Sequence, residues 1–425
     1  MSQCLTILAF DVILLQKEEK MNSISKRFIN YVKFDTQSDP KSDTCPSTEK
    51  QKDLGNFLLK ELHELGLENA YMDKNGYVYA HLEKNCEEDI PAIGFIAHMD
   101  TAPDFSGTNV NPQVFTYKGG DIELKSERII KRDDFPFLDD LVGQEIITSD
   151  GNTLLGADDK AGIAIILEAL SEIVKDQEFK HGKICIAFTP DEEIGRGADL
   201  FDVDGFGADF AYTFDGGPLG ELEFENFNGA AVRVEIDGVN IHPGSAKDIM
   251  VNSLLIASEF IENLPRDQRP STTEGYEGFY HVLEVSGTVE KTCIELIIRD
   301  HDRKKFEAKK CFIKDLTDKL NKKYKNLIRT SIKDSYYNMR EIIEKNIHIV
   351  ELAKKSMQDI GIRPLVTAIR GGTDGASLSF KGLPCPNLFT GGYNYHGPYE
   401  LIPTESMQKG KELMIKILEN ARKVN

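Results

Sequence analysis

Residues 155–174 read LGADDKAGIAIILEALSEIV, and residues 184–193 read ICIAFTPDEE. The first stretch opens with a glycine-framed pair of acids. It continues with Ile163, Ile166, Leu167, Leu170, Ile173 and Val174 at helical spacing, the apolar stripe of an amphipathic helix. The second is a short apolar run that reads as a buried strand and ends in three acids. Crossover helices alternating with buried strands define an α/β fold with a parallel or mixed sheet, and open sheets of that kind form their sites at the strand C-terminal ends.

The same texture recurs on both sides. Residues 93–97, 210–214 and 387–390 are further strand-like runs, followed by His98 and Asp100, by Asp215, and by His396 in a glycine-rich segment. Buried strands would converge these groups with Asp158, Asp159, Glu192 and Glu193 in one crevice. Carboxylates that close cannot all stay ionised without cations, so the pattern predicts a two-metal hydrolytic site. Nitrogen and oxygen donors without thiolate suit catalytic zinc, with manganese or cobalt as substitutes.

Individual positions sharpen this. Residues two apart on a strand share a face, so His98 can bind metal while Asp100 orients its imidazole. At 158–159 either acid can serve, Asp158 being preferred as a bridge between two cations; an aspartate N-cap is the other use of such a residue. Pro190 and Gly195 shape a tight strand exit in which Glu192 and Glu193 divide the work, one as base and one as ligand.

Composition narrows the class. At 425 residues the chain exceeds what one core usually holds. A net charge of -19 argues against nucleic acid or an anionic membrane as a partner. Seven dispersed cysteines with no CxxC pair read as free thiols of a reducing, cytoplasmic compartment. The apolar segment 4–15 is interrupted by Asp11, lacks a preceding basic residue, and is too short to span a bilayer. Residues 1–20 read as a disordered extension or an upstream-start artefact before a capped helix that begins near Met21. No GxGxxG follows the first strand, which excludes a nucleotide-binding Rossmann protein.

Two helices are expected at 23–34 and 49–65, with Gly66 as a stop, and a charged, solvated loop with a strand fragment at 121–140. Near 226 the texture changes. Val232, Val234 and Ile236 alternate with Arg233 and Glu235, a helix pattern covers 250–263, a strand 293–298 and a helix 303–322. This describes a small α+β insert of ferredoxin-like character. The first texture resumes after 336 and ends in a helix at 405–422, so residues 21–226 and 336–425 form one discontinuous domain around an insert at 227–335.

Longer strings make the pattern specific: HMDT at 98–101, GADDKAG at 156–162, PDEE at 190–193, DGG at 215–217, IRGGTDG at 369–375 and GGYNYHG at 391–397. To these add GELEFENFN at 220–228, HPGSAK at 242–247, TEGYEGFYH at 273–281 and DSYYNMRE at 334–341. Together they resemble the tripeptide aminopeptidases of the dizinc M20 metallopeptidase family, and the resemblance runs from Met21 to the C-terminus. It implies a zinc-peptidase catalytic domain with the insert as lid and dimerisation domain of a homodimer. It implies His98 and Asp215 on one zinc, Glu193 and His396 on the other, Asp158 bridging both, Asp100 supporting the site and Glu192 as general base. The implied reaction releases the N-terminal residue of an unblocked tripeptide by two-zinc activated water. His242 would reach the substrate carbonyl and Arg370 its carboxylate. Dipeptidases and acylamino-acid deacylases of the family share the ligand pattern and are the alternative specificities.

Overall fold

The computed structural model describes residues 21–423, and the expected N-terminal extension lies outside them. The chain forms two compact units. Of the described residues, one unit comprises 21–222, Lys345–Val366 and 381–423; the other comprises Glu223–Glu344 and Thr367–Phe380.

In the first unit six successive strands of the main sheet lie in the spatial order Tyr71–Met72, Val78–Leu82, Ile184–Thr189, Ile93–His98, Phe210–Gly216, Asn387–Phe389. Ile93–His98 runs parallel to both of its neighbours, and Asn387–Phe389 runs parallel to Phe210–Gly216; the Val78–Leu82 edge is antiparallel. The sheet is therefore mixed and mostly parallel, as expected. Its strands are apolar without alternation because both faces are covered. Register sets the site: His98 lies opposite Thr189, and Phe214 opposite Leu388, so the chain leaves these strands at one level.

The helix Ala157–Ile173 departs from the expected single stripe. Ile163, Ile166, Leu167, Leu170 and Ile173 are buried, but so are Ala161, Ala164, Ile165 and Ala169. The helix packs on the strands Ile93–His98 and Phe210–Gly216 and also on the helices Ser23–Val32 and Thr404–Ala421. Alanines carry this second face, too small to register as a stripe yet small enough for close approach. Gly410 completes that contact, since a Cβ there would lie 2.6 Å from Ile165 Cδ1.

Residues 121–140 contain the expected strand fragment but are more buried than a solvated loop. Short strands Ile122–Glu123 and Ile129–Ile130 pair, and with the turn Pro136–Leu141 they bury Ile122, Ile130, Leu138 and Leu141 against Ile146 and Leu401. Their apolar residues follow no single period, so the charges between them dominate the reading.

The second unit holds a four-stranded antiparallel sheet in the order Phe279–Gly287, Lys291–Asp300, Asn228–Asp237, Ile328–Tyr336. With the helices Ser253–Glu262 and Arg303–Tyr324 the chain order is βαββαβ, the ferredoxin-like arrangement expected. Val234, Ile236, Ile294 and Leu296 form its core with Phe260, Phe306 and Ile313. The two strands that the sequence pattern does not reveal, Phe279–Gly287 and Ile328–Tyr336, are the sheet edges. Most of their positions are at least partly exposed, which weakens the apolar signal. Among the described residues no helix is long and apolar enough to cross a membrane.

Candidate metal centre

His98 ends its strand almost fully buried, and its ring is aimed from behind. Nδ1 lies 3.1 Å from the Asp100 backbone carbonyl and 3.4 Å from Asp100 Oδ1, both acceptors, so Nδ1 carries the hydrogen. That leaves Nε2 as the free donor toward the crevice, where it meets Asp158 Oδ1 at 2.8 Å and Asp215 Oδ1 at 3.5 Å. The Asp100 carboxylate also accepts the backbone N–H groups of Glu192 at 2.9 Å and Glu193 at 3.1 Å. One buried acid thus fixes both the histidine and the acidic turn.

On the other side, His396 Nε2 stands 3.2 Å from Asp158 Oδ2 and 3.0 Å from Glu193 Oε2. The two oxygens of Asp158 therefore face two different histidines. Two donors bound tetrahedrally to one cation at about 2.0–2.2 Å stand about 3.4 Å apart, close to the spacings seen here. His98, Asp158 and Glu193 have donor atoms within 4.8 Å of one another, as do His98, Asp159 and Asp215. Asp159 is otherwise engaged: its oxygens accept the backbone N–H groups of His98 and Gly162, each at 3.1 Å. The peptide joining Asp158 to Asp159 is cis.

The electrostatics describe a site built for positive charge. Burial, with Asp158 nearby, pushes the Glu193 carboxyl up to about 8. Burial also raises Asp215, and it outweighs the opposing hydrogen bond from His98. Asp158 moves the other way: burial acts to raise it, but hydrogen bonds from His396 and His98 prevail and hold it below the usual carboxylate range. Hydrogen bonds to Asp158 and Glu193 carry His396 up to about 11. Burial opposes the charge on His98, yet Asp100, Asp158 and Asp215 raise it well above an ordinary histidine. Glu193 Oε1 is buried with no hydrogen-bond partner. An unpartnered acceptor among buried acids that resist ionising, with two histidines beside them, fits divalent cations.

The chain matches the description of the peptidase family M20/M25/M40 over residues 148–420. It is 55% identical to Peptidase T of Clostridium acetobutylicum across 403 residues, covering 94% of this chain and 99% of that one. The chain belongs to the M20 peptidase family. Among solved structures it is similar to the aminopeptidase PepT of Bacillus cereus, with a TM-score of 0.73 at 25% identity, covering 94% of this chain and 98% of that one. A tripeptidase of Staphylococcus aureus shares the fold, with a TM-score of 0.74 at 23% identity and the same coverage.

In this M20 member the remaining site candidates fall as follows. Glu192 is half-buried at the start of the turn Glu192–Ile194, with its backbone held by Asp100. His242 and Arg370 belong to the second unit. His242 is exposed, and its Nδ1 accepts the Gly244 N–H at 3.1 Å, capping the turn Pro243–Ser245. The Arg370 guanidinium donates to the carbonyls of Gly275 at 2.5 Å and Glu277 at 3.2 Å and to Thr273 Oγ1 at 3.1 Å. It also lies over the rings of Phe227 and Phe279, at 5.1 and 5.7 Å from their centroids. Arg370 thus organises the loop at 273–277.

Sequence reasoning passed over Asp191, the first acid of the run. Its φ is +59°, and its carboxylate accepts the Ser47 N–H at 2.7 Å, the Ser47 hydroxyl at 2.5 Å and the Gln51 amide at 2.7 Å. It anchors the turn that carries Glu192 and Glu193 to the start of the helix Gln51–Glu64. Its signal was present in the sequence, since aspartate is one of the few residues that tolerates a left-handed turn.

Proposed function

We propose that the chain is a tripeptide aminopeptidase that releases the N-terminal residue of unblocked tripeptides. The observation that carries the reading is the division of the Asp158 carboxylate between His98 and His396. His98, Asp215 and one Asp158 oxygen would hold one cation; Glu193, His396 and the other oxygen would hold a second. Zinc is the cation we assign, with manganese or cobalt as substitutes. Bound there, such ions lower the pKa of water from about 16 toward about 7 and polarise the scissile carbonyl.

The residues of the chain do the rest. Glu192 takes a proton from the attacking water and delivers it to the leaving amine nitrogen. Asp100, by accepting the Glu192 backbone N–H, fixes the main chain from which that carboxylate extends. We assign to His242 the stabilisation of the developing oxyanion and to Arg370 the substrate carboxylate, the roles their motifs imply. We further place the enzyme in the cytoplasm as a homodimer through the inserted unit. Exposed apolar side chains at Leu255, Leu283 and Val285 support a contact there between two copies, which sedimentation would register.

The test is release of the N-terminal residue from an unblocked tripeptide, with and without chelator and zinc add-back, beside a dipeptide and an N-blocked tripeptide. Chelator-sensitive cleavage of the free tripeptide alone is expected. Cleavage of the dipeptide or of the N-blocked peptide would move the chain to a sister specificity. Glu192→Gln should retain metal and lose turnover, and near-normal turnover in that variant would remove Glu192 from the mechanism.

A further inference from the structure

Four residues beyond His396, Glu400 turns back into the protein and is 1% exposed. Its Oε2 accepts the backbone N–H groups of Leu155 at 2.6 Å and Gly156 at 2.8 Å. Its Oε1 accepts those of Ala157 at 2.7 Å and Asp158 at 3.2 Å. These four successive donors form the loop that opens the helix Ala157–Ile173, whose N-cap residue, Gly156, makes no side-chain capping bond. A helix start needs acceptors for such groups, but a serine or asparagine in that place satisfies one or two of them without adding a charge. Glu400 instead brings another acid close to the carboxylates of the metal centre, an arrangement that burial makes costly. What it gains is two oxygens, each closing on two N–H groups, so that every peptide from 155 to 158 is held by one side chain.

We infer that Glu400 is a positioning residue for the carboxylate of Asp158. By fixing the 155–158 backbone it keeps the two Asp158 oxygens divided between His98 and His396. Glu400 and His396 also share one short segment, so the clamp that sets Asp158 sets its distance to His396 as well. The inference rests on the two-cation reading proposed above.

Glu400→Gln keeps the shape but sets an amide nitrogen against two N–H donors; Glu400→Asp keeps the charge but stops one methylene short of the loop. Zinc affinity, measured by competition with a chelating dye, should fall about 10- to 100-fold in both variants, the range for groups that orient metal ligands. The kcat on a free tripeptide should fall with it while KM changes less than threefold. A purely structural or electrostatic role predicts a different pattern: lower thermal stability with wild-type zinc affinity, or recovery in Glu400→Asp. Either result overturns the inference. If Glu400→Gln does not fold, Glu400→Asp alone carries the comparison. Wild-type protein that binds fewer than two zinc ions would instead refute the two-cation reading, and the same titration separates the two failures.

Discussion

Gly162 sits one turn into the helix that begins with the two aspartates, and replacing it by alanine should damage the metal centre from behind. A Cβ at that position would lie 2.2 Å from the Phe214 backbone carbonyl and 2.5 and 2.8 Å from the Asp159 carboxylate oxygens. An ordinary carbon–oxygen contact is about 3.3 Å, so helix and strand must part by roughly 1 Å. Two terms then compete. Alanine in a helix interior gains about 1 kcal/mol over glycine. Overpacking costs about 1–3 kcal/mol, and losing the Asp159 bond to the Gly162 or His98 N–H adds about 1–3 kcal/mol for a stranded buried donor. The clash therefore wins by roughly 1–5 kcal/mol. Function should suffer more than stability, because Phe214 precedes Asp215 and Asp159 braces His98, and a displacement of about 1 Å at reacting groups costs roughly 100-fold in rate. The assay pairs zinc affinity by dye competition with kcat on a tripeptide and a melt of the chelated protein. A Gly162→Ala variant that melts higher, binds zinc as the wild type does and turns over within threefold of it would refute the reasoning.

Three further outcomes follow from the site. Asp158→Ala should lose both cations together rather than one, and metal analysis returning full zinc occupancy would end its bridging role. In chelated protein, Glu193 titrates near 8 rather than 4.5, so between those values the folded state holds a proton that the unfolded state has released. His396, raised to about 11, acts in the same direction above its ordinary 6.5. Stability of the metal-free protein should fall as pH rises from about 5 to 8, by a few kcal/mol in order of magnitude, and added zinc should restore it most at the upper end. Melting curves with and without chelator that run parallel across this range would contradict it. Arg370→Ala should free the loop at 273–277 to early proteolytic cleavage and raise KM for a free-acid tripeptide; unchanged KM with a cleaved loop would leave Arg370 a purely structural role.

The large features were legible because they rest on strong, local physics. Strands buried on both faces announce themselves as unbroken apolar runs, and their C-terminal ends carried His98, Glu192, Glu193 and Asp215 in order. The insert showed itself through alternation on Asn228–Asp237, where one face is solvated. What escaped was whatever depends on a partner far along the chain. Asp158 was preferred for the crevice, but the task of its neighbour Asp159, which accepts the N–H groups of His98 and Gly162, appears only in the fold. Glu400 has no periodic neighbours and reads as a loop acid, although its side chain closes on residues more than 240 positions earlier. Arg370 carries a motif that implies a substrate carboxylate, and nothing in the motif shows that its guanidinium also meets carbonyls nearly a hundred residues away. Secondary structure follows from the order of neighbours, but the second layer of an active site pairs buried polar groups across the fold, and such pairs leave no period to read. For this reason the candidate ligands could be expected from the sequence, while the contacts that hold their segments, those of Asp100 excepted, became visible only in three dimensions. Asp100 is the exception because it lies two residues from His98 on the same strand end, the one support whose geometry is local.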